Sequence, residues 1–216
     1  MSGASFLTTK EKILKTALKL FAKDGFEAVS VSAIAFELGI TKGALYRHYK
    51  NKQDIFDSIV EQMFQIDSER SGTYGIPEHA YEVQPEDYMD TRMDPIYDFM
   101  LAQLHFWTED DFAVNFRKML SLEQYRNPEM MNLYHDCVTR GPVTYLTDIF
   151  SVMKKEGRLK EQNPELLALE FYSPLFLLIQ VTDATGDMQH AEQLLKEHIT
   201  RLKTLFLPSS AESCDI

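Results

Sequence analysis

Cysteine is nearly absent from this chain of 216 residues. The two present, Cys137 and Cys214, are far apart, form no C-x-x-C pair and match no zinc-ligand spacing, so both are plain thiols. Long apolar runs are missing too. The longest, Leu175 to Ile179, falls far short of the roughly 20 residues a membrane helix needs. The opening "MSGASFLTTKEK" lacks the apolar stretch of a signal peptide, so a cytoplasmic protein with no membrane partner is expected. No G-x-S-x-G, P-loop, dinucleotide glycine motif or H-E-x-x-H occurs, and no carboxylates cluster. His135 and Cys137, two apart, would point away from each other on a helix. The expectation is therefore no enzyme, no metal site and no cofactor. An alternating strand pattern, an internal repeat and a low-complexity tract are also absent, which leaves an all-α chain.

What is present is charge, unevenly placed. The net charge of −11 divides into nine Lys and Arg against six Asp and Glu over residues 1–60, and thirteen against twenty-seven over residues 61–216. A basic head on an acidic body would confine any phosphate contact to the head, although a solvated helix face carries the same residues.

The head contains three short helices and the start of a longer one. Ile13, Leu14, Ala17, Leu18 and Phe21 recur at spacings of three and four, Thr8 with Glu11 forms a capping box, and Gly25 marks the stop, which predicts a helix over 9–23. Ser30 caps "VSAIAFEL", Gly39 ends it, and Thr41 caps a third helix through Tyr49. Asn51 with Asp54 starts the fourth, "KQDIFDSIVEQMF".

The Ser30-capped and Thr41-capped helices, joined at Gly39 and Ile40, form a helix-turn-helix whose second helix is the kind that enters a DNA major groove. Leu45 and Tyr49 should pack inward, leaving Lys42, Gly43, Tyr46 and Arg47 outward. Ser30, Ser32, Thr41, Lys42, Gly43, Ala44, Tyr46, Arg47, His48 and Lys52 are the candidate DNA-contacting residues. Thr41, Lys42 and Arg47 can donate to bases or phosphates, Tyr46 can reach phosphate through its hydroxyl, and Gly43 allows close approach. His48 can meet phosphate or cap the turn, and Lys52 adds charge at a helix amino end that itself favours phosphate.

The stretch "VSVSAIAFELGITKGALYRHYKNKQDIF" resembles the TetR family of bacterial transcriptional repressors, with Leu45, Tyr46, His48, Tyr49 and Lys52 at the positions of that family's signature. Tyr49 stands where phenylalanine is common. The resemblance covers about residues 8–60. It implies a helix-turn-helix DNA-binding domain, taken as residues 1–52, joined by the fourth helix to a larger helical domain, residues 53–216, that binds a ligand and dimerises. The expected function is a repressor that binds a near-palindromic double-stranded operator as a homodimer and is released by a small-molecule effector. A DNA-binding dimer without such control, and a helical-bundle enzyme, are the alternatives.

Residues 71–94, with two glycines and two prolines, look like an acidic loop. Helices are expected over 95–107, 109–124, 128–156 with a kink near Gly141 and Pro142, 164–185 and 188–206. The implied ligand pocket would draw on Phe99, Leu104, His105, Trp107, Phe116, Met119, Tyr134 and Tyr145, a composition that also describes an ordinary core. Helix 164–185 is apolar almost all round and needs cover on two faces. Leu175, Leu178, Ile179, Leu195 and Leu202 are the candidate dimer residues, with burial inside one subunit as the alternative.

Overall fold

The computed structural model describes residues 7–206 except 76, 78–80, 82, 90, 91, 160 and 161. Cys214 and the side chain of Phe206 lie outside the described residues. Helices α1 (Thr9–Asp24), α2 (Val31–Glu37), α3 (Lys42–Tyr46), α4 (Lys52–Thr73), α5 (Glu86–Met89), α6 (Met93–Glu109), α7 (Asp111–Glu123), α8 (Pro128–Val138), α9 (Arg140–Lys155), α10 (Pro164–Thr185) and α11 (Met188–Phe206) follow in order, and no strand occurs among the described residues.

Two compact units form: Met1–Asp67 with Asp110–Tyr134, and Ser68–Glu109 with His135–Ile216. The first unit includes α7, which packs along α1.

In the first unit α1 starts where expected. Glu11 N–H donates to Thr8 Oγ1 (3.3 Å), while Thr8 N–H donates back to Glu11 Oε2 (2.7 Å). That backbone bond is the main reason the Glu11 carboxyl lies below its ordinary range. The buried face of α1 is Ile13, Leu14, Ala17, Leu18 and Phe21, and α7 buries Phe112, Ala113, Phe116, Met119 and Leu120. Gly25 closes α1 at φ 88°, ψ 151°, a region essentially restricted to glycine. Oε1 of Glu123, the last residue of α7, lies 2.5 Å from the position a Cβ on Gly25 would take. The Glu123 side chain is buried at 1% exposure, and neither carboxylate oxygen has a hydrogen-bond partner.

In the second unit α10 packs on α9, α11 and α6. Tyr172 Oη donates to the Val138 carbonyl at 2.6 Å, and Phe171 stands beside Tyr97 and Phe150 with ring centroids 5.8 and 5.6 Å away. The expected break in residues 128–156 falls earlier than Gly141, at Thr139 (φ −127°, ψ −81°), between α8 and α9. Gly141 serves close packing instead, since a Cβ there would sit 1.8 Å from the Asp136 carbonyl oxygen. The segment 71–94 is more structured than a loop: α4 runs into it as far as Thr73, it contains α5, and α6 begins at Met93.

By length and composition alone α10 would suffice to cross a membrane. Leu167, Ala168, Phe171, Leu175, Leu178 and Ile179, however, are buried against the chain itself.

Replacing Gly25 by alanine is expected to destabilise the first unit by about 1 to 3 kcal/mol through backbone strain, with a further loss from displacing Glu123. Urea unfolding measures it. Adding Glu123→Ala to Gly25→Ala should recover part of the loss, so the two effects should not be additive.

Candidate nucleic-acid interface

Short polar side chains cap both helices of the motif. Ser30 Oγ accepts from Ala33 N–H and Thr41 Oγ1 from Ala44 N–H, each at 3.1 Å. Between them Gly39 takes φ 64°, and the N–H groups of Gly39 and Ile40 bond back to the carbonyls of Phe36 and Ala35, both at 3.0 Å. This glycine-closed helix end sets the angle at which α3 leaves α2.

The face that α3 presents follows from which residues are anchored. Leu45 and Tyr49 are buried, and Tyr49 Oη donates to the Lys10 carbonyl at 3.3 Å, tying the end of the motif to the start of α1. Lys10 Nζ lies over the Tyr49 ring, 5.5 Å from its centroid. Ser30, Ser32, Thr41, Lys42, Gly43, Tyr46, Arg47 and His48 are exposed, and Ala44 is half-buried. Lys42 Nζ stands 5.7 Å from the Tyr46 ring centroid, so a cation and an aromatic share one side of the short helix.

Lys52 behaves differently from the other candidates. Its Nζ donates to the carbonyls of Phe26 (2.7 Å) and Glu27 (3.3 Å). The ammonium expected to meet phosphate is engaged with the turn between α1 and α2. Sequence reasoning missed this tie and the one from Tyr49 to Lys10, because both join residues 25 or more positions apart with no local signal.

The side chains expected to border a ligand are divided between the two units. Phe116, Met119 and Tyr134 belong to the first unit and are buried there, whereas Phe99, Leu104, His105, Trp107 and Tyr145 belong to the second. His105 is half-exposed and holds Glu109 through Nδ1 (2.8 Å) and Glu192 through Nε2 (3.4 Å). A small apolar cavity of about 10 Å³ in the second unit is lined by Met93, Tyr97, Phe150, Leu159, Leu167, Phe171 and Leu202. Lys203 pairs with Asp94 at 3.1 Å and lies 4.1 Å from the ring centroid of Tyr97, one of the lining residues. No group of three or more metal-binding side chains occurs among the described residues.

Three small helices ending in an exposed cationic and aromatic face define a helix-turn-helix protein. Residues 13–59 match the bacterial regulatory proteins of the tetR family. The match is confined to that segment; over nearly its whole length the chain shares the fold of solved TetR-family regulators. The HTH-type transcriptional regulator AcrR of Shigella flexneri is 43% identical over 53 residues, 24% of this chain and 25% of AcrR. The uncharacterised HTH-type transcriptional regulator YerO of Bacillus subtilis is 50% identical over 52 residues, 24% of this chain and 18% of YerO. The matching region therefore spans a quarter or less of these two relatives. SmeT, the repressor of the Stenotrophomonas maltophilia multidrug efflux pump SmeDEF, superposes with a TM-score of 0.63 at 17% identity, covering 94% of this chain and 92% of SmeT. A TetR-family regulator from Marinobacter aquaeolei VT8 gives 0.63 at 18% identity, covering 96% and 95%. At such identities the likeness is one of fold. The relatives named are transcriptional regulators and not enzymes.

Burial first, then the nearby Asp54 and Glu11 carboxylates, push the Tyr49 phenol up to about 12. A pKa raised above the unfolded value of about 10 means that the phenol's contribution is intact below pH ~10 and is lost as pH climbs toward the folded value. Tyr49→Phe should therefore cost at most about 1 kcal/mol at neutral pH, for one long hydrogen bond. It should also remove this residue's share of the alkaline loss. Thermal melts of both proteins from pH 7 to the alkaline limit check both points.

Proposed function

We propose that this protein is a transcriptional repressor that binds a near-palindromic DNA operator as a homodimer and is released by a small-molecule effector. Gly43 is the observation that carries the DNA part. A Cβ at Gly43 would meet nothing nearer than Thr41 Oγ1 at 4.0 Å, and no positive φ requires glycine there. Glycine inside a helix loses roughly 0.5 to 1 kcal/mol against alanine, so the subunit itself gains nothing from it. A surface that must be approached closely does gain, and Gly43 lies among exposed Lys42, Tyr46 and Arg47.

Supporting the dimer is the exposed side of α10 and α11. Leu175, Leu178, Ile179, Leu195 and Leu202, the expected interface residues, are all buried within the subunit, because α10 turns that side onto α6, α9 and α11. The apolar side chains left outside are Leu166, Leu169, Leu177 and Val181 of α10 with Leu194 of α11. In α10 they form a stripe at steps of three and four, through Ser173. A twofold partner covering that stripe would hold two helix-turn-helix motifs together, and a dimer reads two half-sites about 34 to 36 Å apart.

Supporting the effector is SmeT, whose fold this chain shares and which has been solved as a SmeT–triclosan complex. The cavity beside Phe171, at about 10 Å³, holds no more than a water-sized group, so an effector there has to widen it.

Selection from a random duplex pool with the full-length protein tests the class. It should enrich one near-palindromic sequence, bound with a log–log salt slope near −0.9 per phosphate neutralised. Gly43→Ala should raise thermal stability while weakening operator binding; a variant that binds as tightly as the wild type would remove the main support. For assembly, Leu177→Glu at a site 61% exposed should leave a folded monomer by light scattering. Leu175→Glu, at 1% exposure, should instead unfold the subunit, since the charge would be buried unpaired.

A further inference from the structure

The turn after α1 is held from two sides. From α7, the Glu123 carboxylate occupies the space a side chain at Gly25 would need, with Oε1 2.5 Å from where a Cβ would sit. From the start of α4, the Lys52 ammonium donates to the Phe26 carbonyl at 2.7 Å and the Glu27 carbonyl at 3.3 Å. The same Nζ stands 4.3 Å from the centroid of the Phe26 ring. That ring is fixed in its turn, edge-on to Phe21 at 5.1 Å and tilted against Phe56 at 5.3 Å, with all three rings buried. An ammonium has three donors. Two are already directed at backbone carbonyls, and the charge lies on an aromatic face that attracts it.

These contacts assign Lys52 a task other than neutralising DNA. Only Ala28 and Val29 separate Phe26 and Glu27 from the Ser30 cap, so whatever fixes their carbonyls fixes where α2 begins. Through the Gly39 turn, α2 fixes α3. Lys52 is also the first residue of α4, whose own start is pinned by Asn51 Oδ1 accepting from Asp54 N–H at 2.8 Å. One side chain thus ties the first turn of α4 to the entry of the helix-turn-helix. We infer that Lys52 is a positioning residue for DNA recognition, setting the orientation of the recognition helix through the Phe26–Glu27 turn and making no phosphate contact. The inference rests on the proposed DNA-binding function of the head.

Salt dependence and specificity separate this role from its competitors. A phosphate contact contributes to the salt slope; a positioning residue does not. A residue that serves stability alone lowers binding to all DNA together, whereas loss of orientation weakens the sequence-specific contacts more than the backbone ones. The experiment uses the full-length protein, the duplex enriched by selection and a random duplex of equal length, with fluorescence anisotropy across about 50 to 200 mM potassium chloride. Lys52→Met keeps the aliphatic stem and removes the charge and its donors. It should weaken selected-duplex binding on the order of tenfold, the scale of one charge-assisted hydrogen bond. Affinity for the random duplex and the salt slope should both stay at the wild-type values. Phe26→Leu, which leaves the Lys52 charge in place, should lower the ratio of selected to random affinity in the same direction at the same slope.

A slope shallower by about 0.9 in Lys52→Met would make the residue a phosphate contact and overturn the inference. So would equal losses on both duplexes, or unchanged affinity for the selected one. If circular dichroism shows Lys52→Met unfolded, Phe26→Leu decides alone: a lowered ratio supports the role and an unchanged ratio ends it. A wild type that enriches no duplex at all would remove the DNA-binding reading and this inference with it.

Discussion

The apolar stripe of α1 is the constraint on which the first unit depends. Ile13, Ala17 and Phe21 are fully buried, and α1 is packed by both α2 and α7. Each helix of the motif is too short to be stable alone, since isolated helices below about 12 to 15 residues are marginal in water. α3, with five residues, persists because Leu45 and Tyr49 are buried behind it. The exposed face of the motif is what remains once these anchors are satisfied, so its aim is a product of packing as much as of its own residues.

Where three helices meet at Gly25 and Phe26, the packing is polar and tight. A carboxylate with no hydrogen-bond partner at the carboxyl end of α7 is unfavourable on two counts, burial and the helix dipole. Glycine at position 25 accommodates it sterically without relieving its desolvation. Lys52, on the same turn, is in the opposite condition, with carbonyls and a ring face to receive its charge. The entry to the helix-turn-helix therefore combines one carboxylate without a hydrogen-bond partner and one satisfied ammonium, each from a different helix.

The second unit resolves the burial problem of α10 by halves. Its inner side contributes Phe171 to an aromatic group with Tyr97 and Phe150, and this group leaves a small apolar void. Its outer stripe stays uncovered in a single chain. A helix apolar all round has to be covered on both sides or left with exposed leucine, and the subunit supplies cover for only one of them.

Most of the helices were legible in the residues themselves, because caps and periodicity are local. Thr8 with Glu11, Ser30 and Thr41 each start a helix where the pattern says it should, and Gly25 and Gly39 end the first two. The outward set of α3 followed from the same periodicity once Leu45 and Tyr49 were taken as inward. Other features were decided only by tertiary contact. The sequence marked α10 as needing cover on two sides, but which side its neighbours cover depends on how α6, α9 and α11 pack, and that packing buries Leu175, Leu178 and Ile179 within the subunit. Lys52 carries the same charge whether it faces phosphate or a carbonyl, and only the fold brings the Phe26 carbonyl within 2.7 Å. The membership of α7 in the first unit, and with it the approach of Glu123 to Gly25, joins residues nearly 100 positions apart. Caps and spacing act within a turn or two of helix, whereas such encounters depend on the packing of the whole chain.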